Sequence, residues 1–251
     1  SVTNSGDSNC YSAIFDLQSG IVSATKVNGT ATNSASIISI GNGWYRCIIS
    51  GTMTTATDSY FSMIGTSDRS GFTGSLQNNN APIYTGSSQS IYLWGAQLEE
   101  GSYSTSYIPT SGTTVTRLAD TSSTTGLSSV MNDSEGVLYA EISALSNDGT
   151  TKSVSISDGS ITNQIVIRYS STANQISAYV TDSGTITASF TYVLSDALSY
   201  NKIALKYKVN DVSLWVNGVE VGTDTSATMP SGFDELNFSR GDGNNNFYGN
   251  V

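Results

Sequence analysis

Apolar and polar residues alternate in short segments along most of the chain, and residues typical of turns separate these segments. In NKIALKYKV (201–209), apolar side chains take every second position from Ile203 to Val209. A period of two places such side chains on one face of an extended strand. The segment therefore predicts a half-buried antiparallel strand, with Lys202, Lys206 and Lys208 on its solvent side.

A hairpin signal follows directly. In VSLWVNGVEVG (212–222), Asn217 and Gly218 separate two apolar arms. Asn and Gly adopt positive φ more readily than other residues, which is what a two-residue type I′ turn requires. The segment predicts a tight hairpin, with Trp215 on one arm as a core residue.

Further segments with this character are bounded by Gly, Asn, Ser or Pro and are also predicted as strands. They are 10–17, 20–27, 34–40, 43–50, 58–65 and 90–98 in the first half, and 136–145, 151–157, 163–170, 174–182, 185–192, 234–240 and 246–251 in the second. Charged residues make up only 12% of the chain, too few for long solvent-exposed helices. The sequence predicts an all-β protein with two tandem antiparallel β-sandwich (jelly-roll) domains.

The domain boundary is placed in RLADTSSTTGLSSV (117–130), which is polar and rich in small residues and shows no periodicity. The predicted domains are 1–120 and 131–251, joined by a linker over 121–130. The chain shows no internal repeat across this segment, so the two domains are expected to differ.

Composition excludes several classes of function. Ten Lys and Arg residues against a net charge of −10 argue against nucleic acid as a partner, and no apolar run is long enough for membrane insertion. The chain has no histidine, so Ser-His-Asp and Cys-His catalysis are excluded. Cys10 and Cys47 are expected as small buried hydrophobes, with a disulfide between them as the alternative.

Two motifs in the first half carry a family resemblance. They are GNGWYRC (41–47) and YLWGAQLEEGSYSTSYIPTSGTTVTRLAD (92–120). Over residues 10–120 the chain resembles the carbohydrate-binding-module-like jelly rolls of tailed-phage virion proteins, notably tail fibres. The resemblance implies a further opening strand before residue 1.

The second half carries GVLYAEI (136–142), YNKIALKYKVNDVSLWVNGVEVGTDT (200–225) and FYGNV (247–251). Over residues 130–251 it resembles concanavalin A-like, laminin G-type sandwiches. The resemblance implies a further strand after Val251. The order of the two modules is typical of phage fibre-like proteins and favours a virion origin.

Aromatic residues are the first candidates for a binding site. Tyr92 and Trp94 share one face of the predicted strand 90–98, and Trp44 and Tyr45 are adjacent in GNGWYRC. Aromatic rings of this kind either dominate a core or form a platform on which a sugar ring stacks. We favour core packing and keep the carbohydrate-binding platform as the alternative for all of these residues.

Adjacent glutamates, Glu99 and Glu100, are the candidate catalytic pair. Glycoside hydrolysis needs two carboxylates that face each other across the scissile bond. Neighbouring side chains on an extended chain point to opposite faces. We therefore expect solvated charges at a strand end, no catalytic residue and no enzymatic activity.

Loops that combine Asp or Asn with Gly offer candidate calcium ligands at Asp148, Asp158 and Asp242. Calcium takes oxygen ligands of this kind, and laminin G-type sandwiches often hold such an ion. The same residues are also ordinary turn formers, which is the reading we favour. No other cofactor is expected.

The sequence thus favours a non-enzymatic structural and adhesive subunit of a tailed-phage virion, such as a tail fibre. The expected partners are a host cell-surface glycan, other virion proteins and further copies of the chain, with a homo-oligomeric trimer expected by analogy. The expected location is an extracellular appendage of the virion. The alternative is a pair of accessory carbohydrate-binding modules from a secreted bacterial glycan-degrading enzyme or adhesin.

Overall fold

The structure is a computed structural model that describes residues 2–3, 10–28, 32–52, 61–62, 90–118 and 120–251. The chain divides into two compact units, Ser1–Thr113 and Thr114–Val251. Every regular element in the described ranges is a β-strand, and every strand pairing is antiparallel. The predicted all-β antiparallel class is confirmed.

The described residues of the first unit form six strands: β1 Val2–Thr3, β2 Cys10–Asp16, β3 Ile21–Asn28, β4 Thr32–Gly41, β5 Trp44–Thr52 and β6 Phe61–Ser62. One sheet has the order β3-β2-β1-β6, and β4 pairs with β5. The β4–β5 hairpin turns at Gly41, Asn42 and Gly43, which all have positive φ and so suit residues that tolerate this region. The strands predicted over 10–17, 20–27, 34–40 and 43–50 are confirmed.

The predicted strand over 58–65 falls mainly outside the described residues, which retain only β6 there. The prediction over 90–98 is wrong, because this segment forms no strand. Gly95 has a φ of 67°, a left-handed conformation that ends any extended run. The alternation of apolar and polar residues in 90–98 is therefore not accompanied by hydrogen-bonded strand pairing.

In the second unit, the residues that the structure describes form eleven strands in two sheets. They are β7 Ser123–Thr124, β8 Glu135–Ala144, β9 Lys152–Ser157, β10 Gln164–Tyr169, β11 Gln175–Asp182, β12 Thr185–Val193, β13 Asn201–Lys208, β14 Val212–Val216, β15 Val219–Asp224, β16 Glu235–Asn237 and β17 Gly249–Asn250. The six-stranded sheet has the order β12-β11-β10-β9-β16-β7, and the five-stranded sheet β15-β14-β13-β8-β17. Each strand predicted in this half is confirmed, although β16 and β17 are shorter than expected.

The two sheets share one core. Ile165, Ile167 and Val180 from the six-stranded sheet cluster with Ile203 and Leu205 from the five-stranded sheet, and all of them are buried. Fully burying a side chain of this size contributes about 1.5–3 kcal/mol. The apolar face predicted for β13 is therefore confirmed, except that Val209 lies beyond the strand and is exposed.

One tyrosine links the sheets directly. Tyr169 on β10 donates a hydrogen bond from its hydroxyl to the carbonyl oxygen of Ile142 on β8, at 3.0 Å. Burial raises the pKa of Tyr169 to about 12, so the hydroxyl stays protonated and remains a donor.

The type I′ turn between β14 and β15 is confirmed, since Asn217 and Gly218 have φ values of 50° and 83°. The core placement of Trp215 is wrong, because its side chain remains 38% exposed on the outer side of the five-stranded sheet. In an antiparallel hairpin the two faces alternate, so burial of Leu214 and Val216 directs Trp215 outward.

The segment predicted as a linker, 121–130, lies within the second unit. Its β7 pairs with β16, and the backbone N–H groups of Gly126 and Ser128 donate to the Asp234 carboxylate at 3.3 and 3.1 Å. The contacts that fix residues 121–130 come from residues about a hundred positions later in the chain. The local sequence, which is polar and has no periodicity, therefore did not predict that this segment packs in the second unit. Among the described residues, none forms a helix with the length and apolarity needed to cross a bilayer.

Candidate functional site

The aromatic residues of the first unit are not in a core. Tyr92 and Trp94 are 89% and 74% exposed, which corrects the favoured expectation of core packing. The Trp94 ring lies 4.8 Å from the Tyr107 ring, centroid to centroid, with the planes inclined at 52°. We refer to residues 90–108 as the aromatic segment.

Side-chain hydrogen bonds hold the aromatic segment in place of a β-ladder. The Ile108 N–H donates to the Gln97 side-chain oxygen at 2.8 Å, so residues on either side of the loop are tied together. Arg46 on β5 donates to the carbonyl oxygen of Thr105. The segment is thus fixed without extended pairing, and Trp94 and Tyr107 are presented from a constrained backbone.

Glu99 has a structural role in this segment. Its carboxylate accepts hydrogen bonds from the Thr105 N–H at 2.7 Å and from the Thr105 hydroxyl at 2.5 Å. Glu99 and Glu100 lie in an irregular segment, not at a strand end. The expected back-to-back strand geometry is therefore corrected, and Glu99 closes a loop to Thr105, six positions later in the chain.

Trp44 and Tyr45 begin β5 and differ in environment. Trp44 is 43% exposed, which again corrects the core expectation, whereas Tyr45 is half-buried. A Cβ atom added to Gly20 would lie 3.0 Å from the Tyr45 ring, so Tyr45 packs closely on the β2–β3 turn. Of this pair, Trp44 is the more exposed residue.

Cys47 on the same strand is an exposed free cysteine. The expectation of a buried hydrophobe is wrong for Cys47, because β5 does not bury alternate residues in a regular way. The side chain of Cys10 lies outside the described residues.

Each candidate calcium ligand is already engaged by a donor. Asp148 accepts from the ammonium group of Lys152 at 2.9 Å, and that lysine is only 2% exposed. Asp242 accepts two hydrogen bonds from the Arg240 guanidinium, at 2.9 and 2.5 Å. Two of the three carboxylates are therefore paired with a cationic side chain.

Asp158 accepts hydrogen bonds from the Ser160 N–H and hydroxyl and from the Asn163 amide. Asp148 and Asp158 flank opposite ends of β9, a strand of six residues that spans about 20 Å, so they cannot share an ion. In the part of the chain that the structure describes, no three acidic, Cys or His side chains are grouped to hold a metal.

Sequence reasoning assigned no role to a further surface, the outer face of the six-stranded sheet. Its side chains alternate with core residues on β9, β10 and β11. The members of this face are Ser153, Ser155, Ser157, Gln164, Val166, Arg168, Ser177, Tyr179 and Thr181. The only signal in the sequence was Ser at every second position of KSVSIS (152–157).

Arg168 lies at the centre of this outer face. Its guanidinium carbon is 5.1 Å from the centroid of the Tyr179 ring, within the range of a cation–π interaction. Burial raises the pKa of Tyr179, and the positive charges of Arg168 and Arg240 partly oppose that effect. The face thus combines hydroxyl groups with a cation held over an aromatic ring.

No family model matches the chain, and no curated protein gives a significant match. Similar solved structures include a carbohydrate-binding module (CBM66) from Bacillus subtilis, at 12% identity and a TM-score of 0.34, covering 41% of this chain and 66% of that chain. The β-glucanase of Bacillus licheniformis matches at 18% identity and a TM-score of 0.35, covering 43% of this chain and 54% of that chain. The LG4-5 domains of the mouse laminin α1 chain match at 11% identity and a TM-score of 0.35, covering 47% of this chain and 31% of that chain.

In each of these comparisons the match spans less than half of this chain and less than two thirds of the other. We therefore base the proposed function on the residues of the chain itself.

Proposed function

We propose that the chain is a non-enzymatic structural and adhesive module that binds a host surface glycan. The observation that carries this proposal is the Trp94 ring, which is largely exposed and is held against Tyr107 in a constrained segment. Burial of a large aromatic side chain contributes a few kcal/mol of favourable free energy, and an exposed ring lacks this contribution. A sugar ring stacked on Trp94 through its C–H face would recover part of that burial.

The constraint on the aromatic segment matters for binding. Gln97 and Glu99 fix the backbone through Ile108 and Thr105, so little conformational entropy is lost when a ligand binds. One aromatic pair gives modest affinity, and several copies acting together raise it. A homo-oligomer, a trimer by analogy, would supply those copies.

The more specific proposal places the chain in the virion of a tailed phage, in a tail fibre or a similar extracellular appendage next to other virion proteins. It rests on the resemblance of residues 10–120 to phage jelly rolls and on the order of the two modules. The alternative is an accessory carbohydrate-binding pair in a secreted glycan-degrading enzyme or adhesin, which uses the same ring chemistry. Mass spectrometry of purified virions tests this choice, and absence of the chain from them would sink the phage assignment.

The absence of catalysis is also part of the proposal. Supporting it, the Glu99 carboxylate is bonded to Thr105 within its own loop, and the chain lacks histidine. Incubation with polysaccharides and an assay for new reducing ends tests the point. Turnover that disappears in Glu99→Gln would refute it.

The glycan-binding test compares the full chain with Trp94→Ala and Trp44→Ala on a glycan array. Trp215→Ala serves as the matched control, because Trp215 is a partly exposed tryptophan in the second unit. We expect Trp94→Ala to lose most binding and the control to retain it. Equal binding by all variants would remove Trp94 from the proposal.

A further inference from the structure

In the described part of the second unit the two sheets end in four edge strands, β12, β7, β15 and β17. Three of these strands carry features that discourage pairing with another chain. β7 and β17 are only two residues long. β15 carries Glu220 and Asp224, and its ladder with β14 is irregular next to Trp215. Short length, charge and bulges are the usual means by which proteins protect a sheet edge, and the fourth edge strand, β12, differs from the other three.

β12 is long and uncharged. Its nine residues, TITASFTYV, include no Asp, Glu, Lys, Arg or Pro and are mainly β-branched or aromatic. The side chains of Ser189, Thr191, Tyr192 and Val193 are exposed. Residues of these types favour strand pairing, and an edge strand offers its outward N–H and C=O groups to another strand. The composition of β12 therefore makes it the edge best suited to accept a further strand.

Hydrogen bonds show which residues of β12 direct their backbone groups outward. The Leu194 N–H donates to the Asn174 carbonyl oxygen at 2.6 Å, in continuation of the ladder between β12 and β11. Backbone groups of an antiparallel strand point alternately to its two sides. Ser189, Thr191 and Val193 therefore direct their N–H and C=O groups away from β11. Among the residues that the structure describes, no hydrogen bond reaches these outward groups.

The first part of β12 is less open. The ladder shifts register between Val180 and Thr181, which leaves Thr187 as the additional residue of a bulge. The Thr187 hydroxyl donates to the carbonyl oxygen of Thr228 at 2.9 Å, so another part of the chain lies beside this end of the strand. A bulge also disrupts pairing locally. The regular and open part of the edge is therefore 189–193.

We propose that residues 189–193 of β12 pair antiparallel with the same residues of a second copy of the chain. The two Thr191 residues face each other across a twofold axis, and Ser189 of each copy faces Val193 of the other. All three outward-facing residues then belong to hydrogen-bonded pairs. The two six-stranded sheets become one continuous sheet.

Side chains also match in this register. Phe190 and Tyr192 lie opposite the buried core residues Ala178 and Ile176 of β11, so both point to the core side of the sheet. The twofold axis places Phe190 of each copy opposite Tyr192 of the other. A cross-strand aromatic pair contributes about 0.2–1 kcal/mol, and this one covers Tyr192, which is 38% exposed. On the outer side, the two Thr191 hydroxyl groups lie within reach of each other.

A second copy fits this edge because the segment is complementary to itself and carries no charge. The chain has a net charge of −10, so two copies repel each other at most approaches, and β12 opposes no carboxylate with another. The segment is short, so we expect a weak, reversible pair. The inference goes beyond the proposed function, since it requires no glycan, and a twofold pair differs from the trimer expected by analogy.

Sedimentation equilibrium of the full chain at concentrations up to about 1 mM tests the association. We expect a monomer–dimer equilibrium that Thr191→Lys shifts at least 10-fold toward the monomer, because the two introduced charges would lie opposite each other. Thr185→Lys is the matched control, since it makes the same change at an exposed position of β12 outside 189–193. Thermal unfolding confirms that each variant is folded.

The control Thr185→Lys should leave the equilibrium unchanged. A single-chain mass at every concentration would overturn the proposal, and so would a trimer. A dimer that Thr191→Lys does not weaken would also overturn it, because the copies would then meet elsewhere.

Disulfide trapping tests the register. The background carries Cys10→Ser and Cys47→Ser, so that the introduced cysteine is the only one in the chain. Thr191→Cys should form a linked dimer on oxidation, because the Cα atoms of a hydrogen-bonded pair lie about 5.5 Å apart, within reach of a disulfide. Ser189→Cys is the control, because its two copies would lie about 14 Å apart. Linkage of Ser189→Cys as readily as Thr191→Cys would reject the proposed pairing.

Glycan binding separates this inference from the proposed function. Thr191→Lys should weaken the pairing but leave glycan binding by a single copy through Trp94 unchanged. A chain that pairs through residues 189–193 and binds no glycan supports the inference and rejects the proposed function. A chain that binds glycan through Trp94 and stays monomeric does the reverse.

Discussion

Two surfaces of the molecule combine an aromatic ring with polar groups, and they are held in place by different means. The aromatic segment presents Trp94 and Tyr107 from a backbone without strands, whose N–H groups donate hydrogen bonds to the side chains of Gln97 and Glu99. The outer face of the six-stranded sheet presents Arg168 and Tyr179 from a continuous ladder, with a packed core on its other side. The first surface depends on a few local bonds, whereas the second depends on register and on the core.

This difference predicts which substitutions should disturb each surface. A single side chain can release the aromatic segment, because each of its tethers is one or two hydrogen bonds. The outer face should resist changes to its own polar residues but respond to changes on its hidden side. Four substitutions or conditions test the contrast.

The largest effect is expected from the core beneath the outer face. Ile165→Ala removes a fully buried side chain of β10 and should lower the free energy of unfolding by about 2–5 kcal/mol. Ile186→Ala on β12 makes the same change at an exposed site and should cost no more than about 0.5 kcal/mol. Chemical denaturation of both variants measures the difference, and equal costs would contradict the core assignment.

The next target is the loop 239–246, which covers the β9 side of the outer face. A Cβ atom at Gly241 would collide with the Ser160 carbonyl oxygen and approach the Ser157 side chain to 3.0 Å. Gly241→Ala should cost about 1–3 kcal/mol through this overpacking and should displace the loop. Gly243→Ala is the control, since its added Cβ meets open space and only its φ of 77° is strained. A cost at Gly241 no larger than that at Gly243 would show that the loop moves freely.

Acid should loosen the second unit through its loop carboxylates. Hydrogen bonds from Arg240 lower the pKa of Asp242, and backbone N–H groups of Ser128 and Gly126 lower the pKa of Asp234. A lowered folded-state pKa gives stability that is present above the unfolded value of about 3.9 and is lost as the pH falls through the folded value.

Thermal midpoints measured between neutral pH and about pH 3 test this expectation. The wild type should lose stability as the pH falls below about 4, and Asp242→Asn should lose less over the same range because it has no carboxylate there to protonate. Parallel curves for the two proteins would show that the Arg240–Asp242 pair contributes nothing measurable.

The smallest effect concerns the tether of the aromatic segment. Gln97→Ala removes the acceptor for the Ile108 N–H and should reduce glycan affinity by about 0.5–1.5 kcal/mol, with Trp94 still present. Gln18→Ala, an exposed glutamine in the same unit, is the control. Titration followed by tryptophan fluorescence measures both, and full affinity in Gln97→Ala would mean that the segment needs no such tether.

Local patterns predicted the strands of the second unit well. Alternation in β13 and the Asn217–Gly218 turn are set by the preferences of neighbouring residues, and both are confirmed. The same logic failed for 90–98, where Gly95 adopts a left-handed conformation, and for 121–130, which is ordered by Asp234. In both places the deciding interaction is a backbone conformation or a distant partner that periodicity does not encode.

The site residues divide in the same way. Trp94, Tyr92 and Trp44 were identified as aromatic candidates from the sequence, but their exposure was not, because either a core or a surface accepts the same residue type. Asp148 and Asp242 were identified as carboxylates in turns, but Lys152 and Arg240 occupy them in the folded chain. Arg168 received no role because its contact with the Tyr179 ring exists only once β10 and β11 are paired.

By itself the sequence determined that this chain is all-β, where most of its strands lie and how its clearest hairpin turns. These properties follow from side-chain periodicity and backbone preference, which act over a few residues. The tertiary structure alone decided which of the described rings face water, which of the described carboxylates are paired with a cation, and that Arg168 lies over the Tyr179 ring. Exposure and hydrogen-bond pairing depend on residues far apart in the chain, and only the folded packing brings them together.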